Sequence, residues 1–229
     1  MRLDHVLIAV ADLRAAGLEF EERYGLTSLE GGNHPAWGTA NRIVPLGDSY
    51  LELIAVVDAA KAGQSSIGRW VASAASSTLR PLGWAVRTSQ IDVMAGRLNL
   101  SVHAGSRRTP GGDEVRWRSA GIDEAAAEPS LPFFIEWGPT TQFPGRAEIH
   151  HAAGAATIAG LVLSGDAGRL AGWLGDHKLP VVVSTGKPAV SEIHIAGDRG
   201  EIILANLTSE QASHRLKMLL PLPFDARLL

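Results

Sequence analysis

The 229-residue sequence predicts an α+β protein assembled from tandem βαβββ units. Three observations carry that expectation. The order strand, helix, three strands can be read from Leu3 onward and again from Gly83 onward. Two apolar runs of strand length, Ser49 to Ala55 and Leu131 to Trp137, each enclose one carboxylate, Glu52 and Glu136, in the same context. The repeat of roughly eighty residues is too long for a solenoid and suits a duplicated supersecondary unit.

Residues 1–57 form the first unit. Leu3 to Val10 reads as a buried strand whose apolar pattern is broken by His5. Asp12 caps a helix in which Leu13, Ala16, Phe20 and Tyr24 recur at helical spacing, and Gly25 ends it. Leu26 to Leu29 reads as a short strand; after a turn at Gly31-Gly32, Thr39 to Pro45 and Ser49 to Val56 make a hairpin around Gly47-Asp48. Residues 58–80 are rich in Ala, Ser and Gly, with Ile67, Trp70 and Val71 at helical spacing, and read as a helical connection rather than a new core.

The second unit spans 81–138. It holds a strand at Gly83 to Arg87, a helix from Ser89 through Leu98, an extended segment from Ser101 to Ala104, the alternating strand Val115 to Arg118, and the closing strand Leu131 to Trp137. Overlaying the units puts Glu136 on Glu52 and Gly83 on His5. Residues 139–155, with His150-His151, read as linker. Residues 156–207 repeat the pattern a third time in degenerate form, with Gly160 opposite His5 and Ile202 opposite Glu52. A short helix and Pro-rich tail are expected over 208–229.

A formal net charge of -3 and the lack of any long basic run give no support to nucleic-acid or membrane-surface binding. The chain has no cysteine, which excludes disulfides, thiolate metal sites and a cysteine nucleophile. Any metal would use His, Asp, Glu or water. The N-terminus lacks a secretory pattern and no apolar run reaches membrane-spanning length, so a cytoplasmic location is expected.

The strand Leu3 to Val10, the Asp12-Leu13 helix start and Tyr50-Leu51-Glu52-Leu53 resemble the first module of the vicinal oxygen chelate superfamily, which includes glyoxalase I, extradiol dioxygenases, fosfomycin-resistance proteins and methylmalonyl-CoA epimerase. Within it, His34 to Arg42 running into Glu52 is similar to the glyoxalase-like domain proteins. Residues 1–57 carry most of the resemblance, 82–138 a good part and 156–205 only the outline. It implies paired modules curled into a cupped mixed β-sheet around a divalent metal. Carried over by position, the metal ligands are His5, Glu52 and Glu136, while glycine at Gly83 leaves the fourth position without a donor.

One imidazole and two carboxylates suit Zn, Ni, Mn, Fe or Co. The resemblance then implies Lewis-acid stabilisation of an enolate or oxyanion, with Glu136 or Glu52 also able to act as the catalytic base. A single aligned histidine disfavours dioxygenase chemistry unless His34 or His103 folds into the cup. Nothing in the sequence marks a glutathione site.

Each candidate has a plainer alternative. His5 can be a core histidine, Glu136 a solvent-facing glutamate beside Trp137, and His34 a turn residue before Pro35. Against these, His34, Trp37, Asn41, Trp84 and Arg116 are the candidate substrate-binding residues. Arg116 and Arg118 share one strand face, solvated or lining the cup; Arg107 and Arg108, beside a Pro-Gly-Gly turn, read as surface residues.

The expected function is a metal-dependent lyase, isomerase or hydrolase acting on a small oxygenated metabolite. Its rival is a non-catalytic protein of the bleomycin-resistance type that sequesters a ligand without a metal, favoured by Gly83 and the six tryptophans. The expected partner is a small molecule, and the cup can close within one chain or across a homodimer.

Overall fold

The computed structural model describes residues 1–75 and 79–205. Along the first 56 residues the order is β1 (Arg2–Ala9), α1 (Leu13–Tyr24), β2 (Leu29–His34), β3 (Thr39–Leu46) and β4 (Ser49–Val56). Two helices follow, α2 (Ala59–Ala62) and α3 (Ser66–Ala74), and then β5 (Arg80–Arg87), α4 (Ile91–Leu98), β6 (Val102–Arg108), β7 (Glu114–Ala120), α5 (Ile122–Ala127) and β8 (Phe133–Trp137). The remaining elements are β9 (Ala156–Ser164), α6 (Ala167–Leu174), β10 (Val181–Ser184), β11 (Ala189–Gly197) and β12 (Gly200–Ala205).

Local signals set the ends of α1. Asp12 accepts from the Ala15 amide at 2.8 Å, and Gly25 leaves the helix in the left-handed region at φ 65°. The expected turn at Gly31-Gly32 instead lies inside β2, where the pairing with β3 shifts register between Glu30 and Gly32. The tail expected over 208–229 lies outside the described residues.

Eight strands close into a barrel in the order β1-β4-β3-β2-β6-β7-β8-β5, and four more form a second sheet, β10-β9-β11-β12. Mixed pairing curls the barrel: β1 runs parallel to β4 and antiparallel to β5. Closure between β2 and β6 runs through Asn33 opposite Arg108. There Gly32 sits at φ 136°, and a Cβ on it would lie 2.0 Å from the Arg108 carbonyl oxygen, so only glycine lets the strands meet.

Alternation along each strand separates two cores. Outward residues such as Val6, Ile8, Leu51, Leu53, Val86 and Phe134 pack against Leu161, Leu163 and Ile193 of the second sheet. Trp173 of α6 joins them, stacked on Phe134 at 6.0 Å with its Nε1 donating to the Pro132 carbonyl at 2.8 Å. Inward residues Leu7, Ile54, Ala85, Phe133 and Ile135 pack with Ile67, Trp70 and Val71 of α3 and Ala125 of α5. The segment expected to be a mere connection thus supplies a plug to the barrel, because its apolar stripe finds the cup's inner wall.

His151, expected as linker, is also structural. It accepts from the Thr27 amide at Nδ1 and donates from Nε2 to the Pro45 carbonyl, at 3.0 and 2.7 Å. Among the described residues no helix is long and apolar enough to cross a membrane.

Trp173→Ala removes the ring that holds the second sheet to the barrel and leaves the Pro132 carbonyl unpaired. Urea unfolding is expected to show a loss of about 3–5 kcal/mol; a loss below about 1 kcal/mol would mean the sheet is held elsewhere.

Candidate active site

The inner faces of β1 and β4 place His5 opposite Tyr50 and Leu7 opposite Glu52. His5 stacks on Tyr50 at 4.7 Å and meets the edge of Phe133 at 5.5 Å, so its ring plane is fixed on both sides. Its Nδ1 donates to Asp4 Oδ1 at 2.6 Å. Asp4, which has no exposed surface, lies where the pairing of β1 with β5 shifts register between Leu3 and His5. Its other oxygen accepts from Trp137 Nε1 at 3.0 Å and lies 3.8 Å from Arg87 Nε.

With Nδ1 committed to Asp4, His5 presents Nε2 to Glu52 Oε2 at 3.4 Å. Glu52 is itself held, since Asn41 Nδ2 donates to its Oε1 at 2.6 Å. Asn41 Oδ1 is buried with no hydrogen-bond partner and rests where a Cβ on Gly31 would be.

Across the chamber, His34 Nδ1 lies 3.0 Å from Thr39 Oγ1. Burial lowers its pKa to about 4; the Glu52 carboxylate opposes this and the Arg107 cation adds to it. His34 is therefore neutral at neutral pH. Tyr50 is raised well above 10, chiefly by burial and then by the charges of Asp4 and Glu52, and stays a phenol.

Trp37 is 5.0 Å from His34 and 5.7 Å from Trp117, and Trp117 is 5.9 Å from Trp137. These rings and Arg107 border both the inner chamber and an outer groove. The chamber has a volume of about 30 Å³, room for about two waters, whereas the groove has about 730 Å³. The tryptophan rings and Arg107 stand between the groove and His5.

The structure brings His5, Glu52, His34, Trp37 and Asn41 together around this chamber. It does not bring Glu136. On β8 the inward positions are Phe133, Ile135 and Trp137; Glu136 faces the other way, accepting from Arg118 Nη1 at 3.0 Å and from the Ile91 amide at 3.4 Å. The sequence overlay was out by one residue in strand parity.

Trp84 also points outward, into the core shared with the second sheet, and donates to the Ser130 carbonyl at 3.1 Å. Arg116 pairs with Glu114 at 2.6 Å and lines the groove rather than the chamber. Arg107, expected at the surface, is buried at 8% exposure. Sequence reading also passed over Asp4, Tyr50, Trp117 and Trp137. Strand parity was the available signal for Arg107, because Gly105 two residues earlier pairs with inward-facing Trp117.

The donor set does not fit the three-ligand metal site. His5 Nε2 and Glu52 Oε2 are spaced like two neighbouring ligands, since bonds of about 2.1 Å at a tetrahedral angle put donors about 3.4 Å apart. The second half of the barrel offers nothing to complete them. Phe133 and Ile135 face inward where a carboxylate was expected, and a Cβ on Gly83 would lie 2.4 Å from the Trp70 ring. Among the described residues no three His, Cys, Asp or Glu side chains converge as a metal site would require.

A family profile described as Glyoxalase-like domain matches residues 3–177. No curated protein matches the chain. Among solved structures it is similar to a hypothetical protein from Staphylococcus aureus, with 14% identity, a TM-score of 0.63, and coverage of 88% of this chain and 97% of that one. That likeness is one of fold. Methylmalonyl-CoA epimerase from Mycobacterium tuberculosis matches at 22% identity and TM-score 0.41, covering 60% of this chain and 88% of the epimerase. The Streptomyces coelicolor epimerase, in complex with 2-nitronate-propionyl-CoA, matches at 20% and 0.44, covering 62% and 99%.

Two outcomes follow from the site. Gly83→Ala forces the Trp70 ring to move and is expected to cost about 1–3 kcal/mol in urea unfolding, with less than additive loss when combined with Trp70→Ala. His34 has a folded pKa near 4 against an ordinary 6.5, so the unfolded state binds its proton first. Its contribution is fully present above pH 6.5 and is lost as pH falls toward 4, by about 3 kcal/mol in all. In His34→Gln that part of the acid destabilisation is expected to vanish from unfolding curves measured across this range.

Proposed function

Because the chain belongs to the glyoxalase-like domain family of the vicinal oxygen chelate superfamily, we propose that it is an enzyme moving a proton next to a carbonyl in a small oxygenated metabolite, as an isomerase or lyase. The observation that carries this reading is the buried chain Asp4–His5–Glu52–Asn41 on the chamber floor. His5 Nε2 takes the proton from carbon. Asp4 at Nδ1 keeps the ring in place and stabilises the imidazolium that forms. Glu52, immobilised by Asn41, receives or returns that proton. The Tyr50 phenol offsets negative charge that develops on the substrate oxygen.

Glu136 has no part in this scheme. A metal-dependent form, with His5 and Glu52 as two ligands of a divalent ion, is the alternative that the experiment separates. Sequestration without turnover is the second reading, favoured by the Trp37–Trp117–Trp137 wall, whose faces suit a planar ligand.

We also read β1–β4 and β5–β8 as two βαβββ modules, over 1–57 and 81–138, and β9–β12 as a degenerate third over 156–207. The element order supports this. The barrel closes within one chain, so a second copy is not needed to complete the cup.

The test is loss of C–H signal by proton NMR in D₂O from a panel of 2-oxo acids, 2-hydroxy acids and aldehydes. Chelator-treated protein is expected to catalyse exchange, and His5→Gln and Glu52→Gln each to slow it by about 100-fold or more while remaining folded. Exchange that needs one bound metal per chain would establish the metal-dependent form. Tryptophan quenching by aromatic ligands with no exchange would establish sequestration.

A further inference from the structure

We infer that Arg107 is the anchor for a carboxylate, and that the substrate is a small 2-oxo or 2-hydroxy acid rather than a neutral aldehyde or thioester. The inference rests on the proton-transfer reading of the same chamber. Arg107 is 8% exposed, and an arginine side chain keeps its charge in any protein environment. One of its donors is used by the Gly31 carbonyl. Among the described residues its guanidinium takes part in no ion pair.

The contrast with the exposed arginines is informative. Arg116 is paired with Glu114, Arg118 with Asp92 and Glu136, and Arg146 with Asp48. Solvent already satisfies such groups, so these pairs add little. The arginine that most needs an anion, because it is out of water, is left without one inside the protein. A buried charge without a counterion is costly, and that cost is relieved when a ligand brings the opposite charge.

Position and chemistry narrow the ligand. The guanidinium borders both chamber and groove, so an anion held there lies at the mouth, with the adjoining carbon directed toward His5 and Glu52. Its donor fork matches the two oxygens of a carboxylate. The keto or hydroxyl oxygen next to the carboxylate then meets the Tyr50 and Asn41 side of the chamber.

Binding is measured by calorimetry and tryptophan quenching with pyruvate and L-lactate, their neutral amides pyruvamide and lactamide, and inorganic phosphate. At least one acid is expected to bind about 10-fold or more tightly than its amide. Arg107→Met is expected to remove that preference, Arg107→Lys to keep part of it, and Arg146→Met, at a surface arginine paired with Asp48, to leave it intact. If Arg107→Met does not fold, the loss in Arg107→Lys together with the acid-to-amide ratio of the wild type decides the matter. Acids and amides binding alike, no binding of either acid, an unchanged preference in the Arg107 variants, or phosphate binding more tightly than both acids would each overturn the inference. Acid binding without C–H exchange would leave the anchor standing and remove the enzyme; exchange confined to neutral substrates would do the reverse.

Discussion

A carboxylate with no exposed surface, Asp4, sets the terms for everything around the chamber. Out of water, it needs partners, and it draws them from separate parts of the barrel: hydrogen bonds from the His5 ring on its own strand and from Trp137 at the end of β8, and the Arg87 guanidinium 3.8 Å away at the end of β5. Those bonds fix the His5 ring so that Nε2 looks at Glu52. They also fix Trp137, one of the rings that close the chamber mouth. A single buried charge therefore positions both the reactive nitrogen and part of the gate.

The chamber is polar on one side and apolar on the other. The first half of the barrel contributes His5, His34, Asn41, Tyr50 and Glu52, while Phe133, Ile135, Trp117 and Trp137 come from the second half, whose charged contribution is Arg107. Burial lowers the local dielectric, which strengthens the charged contacts and keeps His34 and Tyr50 neutral. The asymmetry also explains why a pair of donors fit for a metal is not extended into a full ligand set. The apolar side chains act as wall and lid, and the polar groups, Arg107 among them, as chemistry.

How much of this was legible in the sequence depended on the range of the contacts involved. α1 was readable because its cap at Asp12, its periodicity and its stop at Gly25 are all local. His5 and Glu52 were readable because each is a polar residue in a strongly apolar strand. Glu136 looked equivalent to Glu52, yet which face it takes is decided by the pairing of Ala85 with Phe133, a long-range register that neighbouring residues do not encode. The insertion of α5 ahead of β8 blurred the overlay further. Arg107 was hidden because its strand is polar and interrupted by Gly105, and its partner Val115 lies on β7. Asp4 was hidden because alternation would send it outward, and only the register shift in β1 turns it toward His5 and Trp137.

The claim that all of this depends on is the fixed tautomer of His5, and imidazole ¹⁵N NMR of histidine-labelled protein tests it most directly. The account predicts a His5 Nδ1 that carries its proton in the wild type, shows a coupling typical of a short hydrogen bond, and loses that signature in Asp4→Ala, with no metal-induced shift at Nε2. A His5 Nδ1 without a proton, or an Nε2 resonance that moves when the protein is treated with chelator, would contradict it.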